Sequence, residues 1–321
     1  MKKRFLGVLL SVAMVAAVLV GCGSSGAKET AAPAGSETEA ASEVASGETE
    51  AAGNTGDVIT VGFSQVGAES DWRTANSESM KSTFSTENGY NLIFDDAQQK
   101  QENQIAAIRN FIQQEVDYIV LAPVTETGWD TVLQEAKDAG IPVIIVDRMV
   151  DVSDDSLYTA WVGSNFKLEG QKAMAWLDAY LEAKGRGDEE INLVDIQGTI
   201  GASAQIGRTQ GFDDAVEAHD NWTTLAQQSG EFTQAKGQEV MESILKQSGD
   251  DIDVVYCEND NEAFGAIDAI EAAGYEVGGE EGQILVMSFD TTNAGLTDTL
   301  SGKITLDTEC KPLHGPRVQE I

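Results

Sequence analysis

Three arginines fall in short segments that also carry carboxylates, amides or an aromatic ring. These are Glu69-Ser70-Asp71-Trp72-Arg73, Asp147-Arg148, and Gly198-Thr199-Ile200-Gly201-Ala202-Ser203, which leads on to Arg208. Ser164-Asn165, Glu258-Asn259-Asp260 and Asp290 are segments of the same polar kind. Guanidinium, carboxylate and carboxamide groups are planar and exchange paired hydrogen bonds with neighbouring hydroxyls, while an aromatic face covers the C–H side of a ring. Together, Trp72, Arg73, Asp147, Arg148, Asn165, Arg208, Asn259 and Asp290 suit a neutral sugar. Singly, each has a plainer reading. Trp72 can be core, Asp147-Arg148 a surface ion pair of little energy, and Asp290 and Asn165 helix caps. The glycines of 198–203 suggest a phosphate loop, but the segment lacks both the Walker lysine and the GxGxxG spacing. Trp129 opens a helical run and reads as packed against a sheet.

The elements before these segments give them a common place. Strand-like runs fall at Val58–Ser64, Asn91–Asp96, Tyr118–Ala122, Ile141–Asp147, Thr159–Gly163, Ile191–Gln197, Thr223–Gln228, Asp253–Cys257 and Ile284–Phe289. Helical runs lie between them at Trp72–Asn88, Gln101–Gln114, Thr127–Ala139, Leu168–Lys184, Ala204–Ala218, Thr233–Gln247 and Glu262–Ala273. Strands alternating with helices make βαβ units and parallel sheets, and a chain of this length suits two doubly wound domains. In such sheets ligands bind beyond the carboxyl ends of the strands. That is where the arginine-bearing segments fall.

The chain has 54 acidic and 20 basic side chains, a formal charge of −34. Nucleic acid is excluded as a partner, since phosphate binding needs a basic face. Lys2, Lys3 and Arg4 precede an apolar run from Phe5 to Val20, too short for a membrane span of about 20 residues and suited to a signal peptide. The run ends Leu19-Val20-Gly21-Cys22, a lipobox whose cysteine takes a lipid, so that residues 1–21 are signal and Cys22 the anchor. Residues 22–57 are almost wholly Ala, Gly, Ser, Thr and Glu and are expected to be a disordered tether. Without the signal and tether, 16 basic residues face 47 acidic ones, so the folded body is itself near −31. Cys257 and Cys310 have no histidine motif beside them and read as free thiols, with a disulfide as the alternative. His219 and His314 show no metal-ligand spacing. No cofactor or metal is expected.

The segments VGFSQVGAESDWR, QQKQENQ, APVTETGW, Asp147-Arg148, QGTIGAS and GEFTQAKGQEVMES resemble the galactofuranose-binding branch of the periplasmic-type sugar-binding proteins of the ribose-binding class. The resemblance runs from Val58 essentially to the end. It implies two Rossmann-like α/β lobes joined by a three-stranded hinge, closing on a monosaccharide that an ABC permease then receives. The expected lobes are 58–164, with 310–321 returning to it, and 165–309. By the same resemblance Glu69, Trp72, Arg73, Asp147 and Arg148 meet the sugar from the first lobe. Arg208, Asn259 and Asp290 meet it from the second, Asn165 lies at the first hinge crossing, and Glu309 faces the ligand on the strand returning to the first lobe. Asp71 departs from the branch, which tends to a small residue there. The chain ends at Gly315–Ile321 as a helix of the first lobe begins, whereas the family continues for a further helix and strand. The expectation is a truncated chain of reduced stability.

The resemblance implies a lipid-anchored monomer outside the cell membrane, not an enzyme. A tethered sensor for a receptor kinase or chemoreceptor uses the same closed form. A glycosidase is the third reading, with Asp147, Asp290 or Glu69 as the carboxyl pair. Against hydrolysis, each carboxylate has an arginine or helix N-terminus nearby to keep it ionised, whereas hydrolysis needs one carboxyl protonated.

Overall fold

Alternation of β-branched runs with amphipathic helices yields two parallel sheets, each covered on both faces. The computed structural model describes residues 58–321. The signal segment, Cys22 and the tether expected over 1–57 lie outside the described residues. The first half runs β1 (Ile59–Gln65), α1 (Asp71–Thr83), β2 (Tyr90–Asp96), α2 (Gln101–Gln113), β3 (Tyr118–Leu121), α3 (Asp130–Asp138), β4 (Val143–Val146) and β5 (Ala160–Val162). Its sheet has the order β2-β1-β3-β4-β5, with every neighbouring pair parallel.

The second half runs α4 (Phe166–Ala183), β6 (Ile191–Gln197), α5 (Ser203–Glu217), β7 (Trp222–Ser229), α6 (Gln234–Ser248), β8 (Val254–Cys257), α7 (Asp260–Ala272), β9 (Leu285–Asp290), α8 (Asn293–Ser301) and β10 (Leu306–Glu309), before α9 (Gly315–Gln319). Its sheet is again parallel, with the order β10-β9-β8-β6-β7. Each sheet grows first one way and then the other, so its switch point lies between β1 and β3 or between β6 and β8. The loops that leave those strands are where a doubly wound sheet presents a crevice.

Ile108, Phe111, Trp129 and Leu133 pack one face of the first sheet, and Met80, Phe84 and Val318 the other. The second sheet is held by Met241, Ile244, Ile267 and Ile270 on one side and by Met174, Leu177 and Phe212 on the other. Each such side chain contributes about 1.5–3 kcal/mol on full burial. The chain crosses between the sheets at 163–165, after β5, and at 310–314, after β10. Gly163 is needed at the first crossing, because a Cβ would overlap the carbonyl oxygen of Asp147 and the Trp161 ring. After the second crossing the chain lies on α1. Asn76 Nδ2 donates to Pro312 O (2.8 Å), and the Gly315 N–H donates to Ser79 Oγ (3.1 Å).

Two helix boundaries differ from the sequence reading, and one strand escaped it. The helix expected over Trp72–Asn88 stops at Thr83, because Asn88 Nδ2 donates to the carbonyls of Ser82 and Thr83 (3.0 Å each) and takes over the end of α1. The helix expected from Thr127 begins at Asp130, since Gln101 binds the Thr125 hydroxyl (2.7 Å) and the Thr127 carbonyl (2.7 Å) in a preceding turn. The strand β10 has no apolar signal: its sequence is Leu-Asp-Thr-Glu, and Asp307 is turned to a polar cluster.

Candidate functional site

Between the two sets of strand ends lies a small cavity of about 30 Å³. From the first half, β1 leads into Glu69 and Ser70, and Ser70 caps α1 through a hydrogen bond from the Arg73 N–H (3.1 Å). That cap aims Arg73 back toward the strand ends. Arg73 Nε donates to Glu69 Oε1 (2.9 Å), and its Nη2 to Asp147 Oδ2 (2.7 Å) at the end of β4. Asp147 therefore pairs not with its neighbour Arg148 but with an arginine far away in sequence. Arg148 instead donates Nη1 to the Val124 carbonyl (3.1 Å) and stands 3.7 Å from Glu69 Oε1. These side chains are buried, so the surface ion pair considered for Asp147-Arg148 does not form. Burial works to raise the Asp147 carboxyl, but Arg73 and Arg148 outweigh it and hold the group below the usual carboxylate range. Burial, then the charge of Arg73, pulls the Arg148 guanidinium down to about 10.

From the second half, α5 presents Arg208. It donates Nη1 to the Glu258 carbonyl, Nε to Glu169 Oε2 (3.2 Å) and Nη2 to the same oxygen (3.0 Å). Asp290 Oδ1 stands 3.7 Å away. The guanidinium lies over the rings of Phe289 (4.6 Å) and Phe166 (5.3 Å). Burial pushes the Asp290 carboxyl well up despite Arg208 beside it. The surroundings thus favour the ionised form at Asp147 and work against it at Asp290. The reason is geometric: Arg208 spends its short hydrogen bonds on Glu169 and Glu258, leaving Asp290 with distant compensation. Asp290 does not cap α8 either, since that cap is Thr292.

Two polar atoms in the cavity wall, Glu69 Oε2 and Arg73 Nη1, are buried with no hydrogen-bond partner among the described residues. The charges otherwise balance. Arg73, Arg148 and Arg208 stand against Glu69, Asp147, Glu169 and Asp290, of which Asp290 is pushed toward its neutral form. Backbone strain gathers at the same strand ends. Asp147 has φ +62°, Asp290 +107° and Phe232 +59°, and each such conformation costs about 1–3 kcal/mol.

The cavity brings together eight of the ten residues expected from sequence: Glu69, Trp72, Arg73, Asp147, Arg148, Arg208, Asn259 and Asp290. Trp72 is both wall and core, its Nε1 donating to the Cys310 carbonyl (2.6 Å). Asn259 also caps α7, accepting from the Glu262 N–H (2.8 Å). Asn165 is not in the wall. It is exposed and accepts from the Leu168 N–H (3.0 Å), capping α4. Glu309 is exposed at the end of β10, in the second sheet, and borders a separate neighbouring hollow. Asp71 borders that same hollow. Trp129 packs in the core as expected, and Cys257 and Cys310 are free thiols.

Sequence reading missed Phe166, Phe232 and Cys310 in the wall and Glu169 behind Arg208. The tip of the Phe232 ring meets Gly198, where a Cβ would enter it, and Arg148 sits over that ring at 4.9 Å. The pairing of a glycine after β6 with an aromatic after β7 is the signal that was available. Gly198→Ala is expected to displace Phe232 and destabilise the protein by about 1–3 kcal/mol. Thermal melting checks it, and an unchanged melt would show that the ring moves freely. No group of three His, Cys, Asp or Glu side chains among the described residues is arranged to hold a metal.

Two doubly wound parallel sheets, two visible crossings and a charge-balanced cavity between strand ends define a two-part binding protein. The periplasmic binding protein domain matches residues 61–308, and the chain belongs to that family. The galactofuranose-binding protein YtfQ of Escherichia coli (strain K12) is 44% identical over 261 residues, covering 80% of this chain and 79% of that protein. A Mycobacterium smegmatis structure in complex with β-D-fucofuranose is similar with a TM-score of 0.77 at 44% identity, covering 82% of this chain and 84% of the other. The binding component of the arabinose ABC transporter of Shewanella sp. ANA-3, bound to α- and β-L-arabinofuranose, gives 0.75 at 44% identity, covering 81% and 84%.

Proposed function

We propose that the chain is the extracytoplasmic sugar-binding component of an ABC importer, capturing a monosaccharide between its halves and delivering it to the permease. The observation that carries this reading is the buried, unpartnered pair Glu69 Oε2 and Arg73 Nη1 in a cavity whose other charges are paired. An acceptor beside a donor answers two neighbouring hydroxyls, and buried polar groups left without partners are costly. The charge balance favours a neutral sugar over a sugar acid or phosphate. The names of relatives similar over four fifths of the chain support a furanose such as galactofuranose, fucofuranose or arabinofuranose.

In this reading Glu69, Arg73, Asp147 and Arg148 bind hydroxyls from a first lobe, residues 58–164 with 310–321. Arg208, Asn259 and Asp290 bind from a second lobe, residues 165–309, and Trp72, Phe166 and Phe232 cover the ring's C–H faces. Asn165 keeps its capping role and Glu309 makes no sugar contact. The sugar touches both lobes only in the closed form, so its binding energy shifts the population toward closure. Cys22 carries the lipid, residues 22–57 are the tether, and a monomer faces the permease. Transport is preferred to sensing because a relative of high identity is the binding component of an ABC transporter.

The chain works as a binder, not as a glycosidase. The raised Asp290 carboxyl removes one argument against hydrolysis, while family membership and the pairing of Asp147 with Arg73 support binding. Titration calorimetry with L-arabinose, D-galactose, D-fucose, D-ribose and D-xylose is expected to show one-site binding of at least one furanose-forming sugar. Nitrophenyl furanosides are expected to remain uncleaved. Silence with all the sugars, or release of nitrophenol, sinks the reading.

A further inference from the structure

The two halves also meet through residues that do not line the cavity. Met149, beyond β4, donates its N–H to Ser203 Oγ in the first turn of α5 (2.7 Å). Glu126, beyond β3, donates its N–H to the Gly201 carbonyl (2.9 Å), while its own carbonyl accepts from the Asp151 N–H (2.6 Å). The backbone of one residue therefore joins both first-half loops to the loop after β6. Gly201 reaches this position at φ +86°, a conformation that favours glycine. Ser203 is not occupied as a helix cap: the N-cap of α5 is Ala202, without a side-chain hydrogen bond. Its hydroxyl is thus spent on Met149 and on no part of its own half.

We propose that Ser203 is a positioning residue that latches the closed form and sets how long sugar is held, without touching the sugar. The Met149–Ser203 bond exists only when the halves meet. When they part, water takes up both groups, so the whole net energy of the bond discriminates closed from open. Such an energy acts on release rather than on encounter. One hydrogen bond of this kind changes the closed population by about two- to tenfold. The effect on sugar rests on the capture function proposed above, whereas the latch itself does not.

The test measures hydrogen–deuterium exchange at the Met149 amide and stopped-flow release of L-arabinose or D-galactose in the full chain. Ser203→Ala is expected to speed exchange at Met149 and to speed sugar release about two- to tenfold, with an unchanged association rate. Ser203→Thr keeps the hydroxyl and is expected to restore both. Equal exchange at Met149 in the wild type and Ser203→Ala overturns the latch, as does release unaffected by lost protection. A wild type that binds none of the sugars overturns the capture function instead, and exchange at Met149 then decides the latch alone.

Discussion

Arg208→Ala is expected to weaken sugar binding by about thirtyfold or more and to lower stability by about 3–5 kcal/mol. The arginine is buried and serves three partners in the second half at once: the Glu169 carboxylate, the Glu258 carbonyl and, at 3.7 Å, Asp290. Removing a buried cation leaves its carboxylates uncompensated, which is far more costly than never having built the pair. The stability loss falls on the Glu169 side, which packs α4 against α5 whether or not sugar is present. The affinity loss falls on the cavity side, where Asp290 loses the neighbour that opposes its protonation and the wall loses a planar donor. Arg208→Lys is expected to recover little, because a single ammonium cannot reach Glu169 and Glu258 in the fork geometry a guanidinium provides. Calorimetry and thermal melting of the two variants separate the contributions. A folded Arg208→Ala protein with wild-type affinity removes the second-half assignment.

The parts of this site that sequence revealed are those whose chemistry is compressed into one loop. Glu69, Trp72 and Arg73 share a strand-to-helix turn, and Asp147-Arg148 closes a strand. The rule that doubly wound sheets bind at strand ends therefore singles them out from sequence alone. Pairing was not legible. Asp147 answers Arg73 across 74 positions, and Arg208 answers Glu169 across 39, so adjacency in the chain suggested the wrong ion pair. Phe166 and Phe232 were invisible for a different reason, since an apolar residue in an α/β chain reads as core until its neighbours are known. Asn165 illustrates the converse. Its capping role needs only the local chain, and the local reading proved to be the structural one. The strand β10 escaped because the sheet does not bury it by alternation. Its polar side chains are explained by a carboxyl cluster that only the fold assembles.

That cluster carries the second large effect: the melting temperature is expected to rise as pH falls from 8 to 5. Asp260 Oδ2 accepts from the Thr292 N–H (2.8 Å) and hydroxyl (2.7 Å), and its Oδ1 accepts from Ser288 (2.6 Å). Asp307 Oδ1 accepts from the Thr291 N–H (3.0 Å), while its Oδ2 is buried without a partner. Both carboxyls crowd the same spot beside Gly295, where any Cβ would strike them, so a proton shared between them satisfies the free oxygen. Burial, then the charge of Asp260, raises Asp307 to about 7. In the unfolded chain an aspartate titrates near about 3.9. Between those values the native state holds a proton that the unfolded state has released, so stability falls as pH rises and levels off above the folded value. Asp195, Glu258, Glu262 and Asp290 are raised by burial in the same sense and add to the fall. Asp147 works oppositely, but its contribution is lost only below the unfolded carboxylate range. Asp307→Asn presents a permanent donor to Asp260 and keeps an acceptor for Thr291. It is expected to raise the melt at pH 8, to change it little at pH 5, and so to flatten the profile. A wild-type melt that is level or rises between pH 5 and pH 8 would show that the pair ionises freely in the fold.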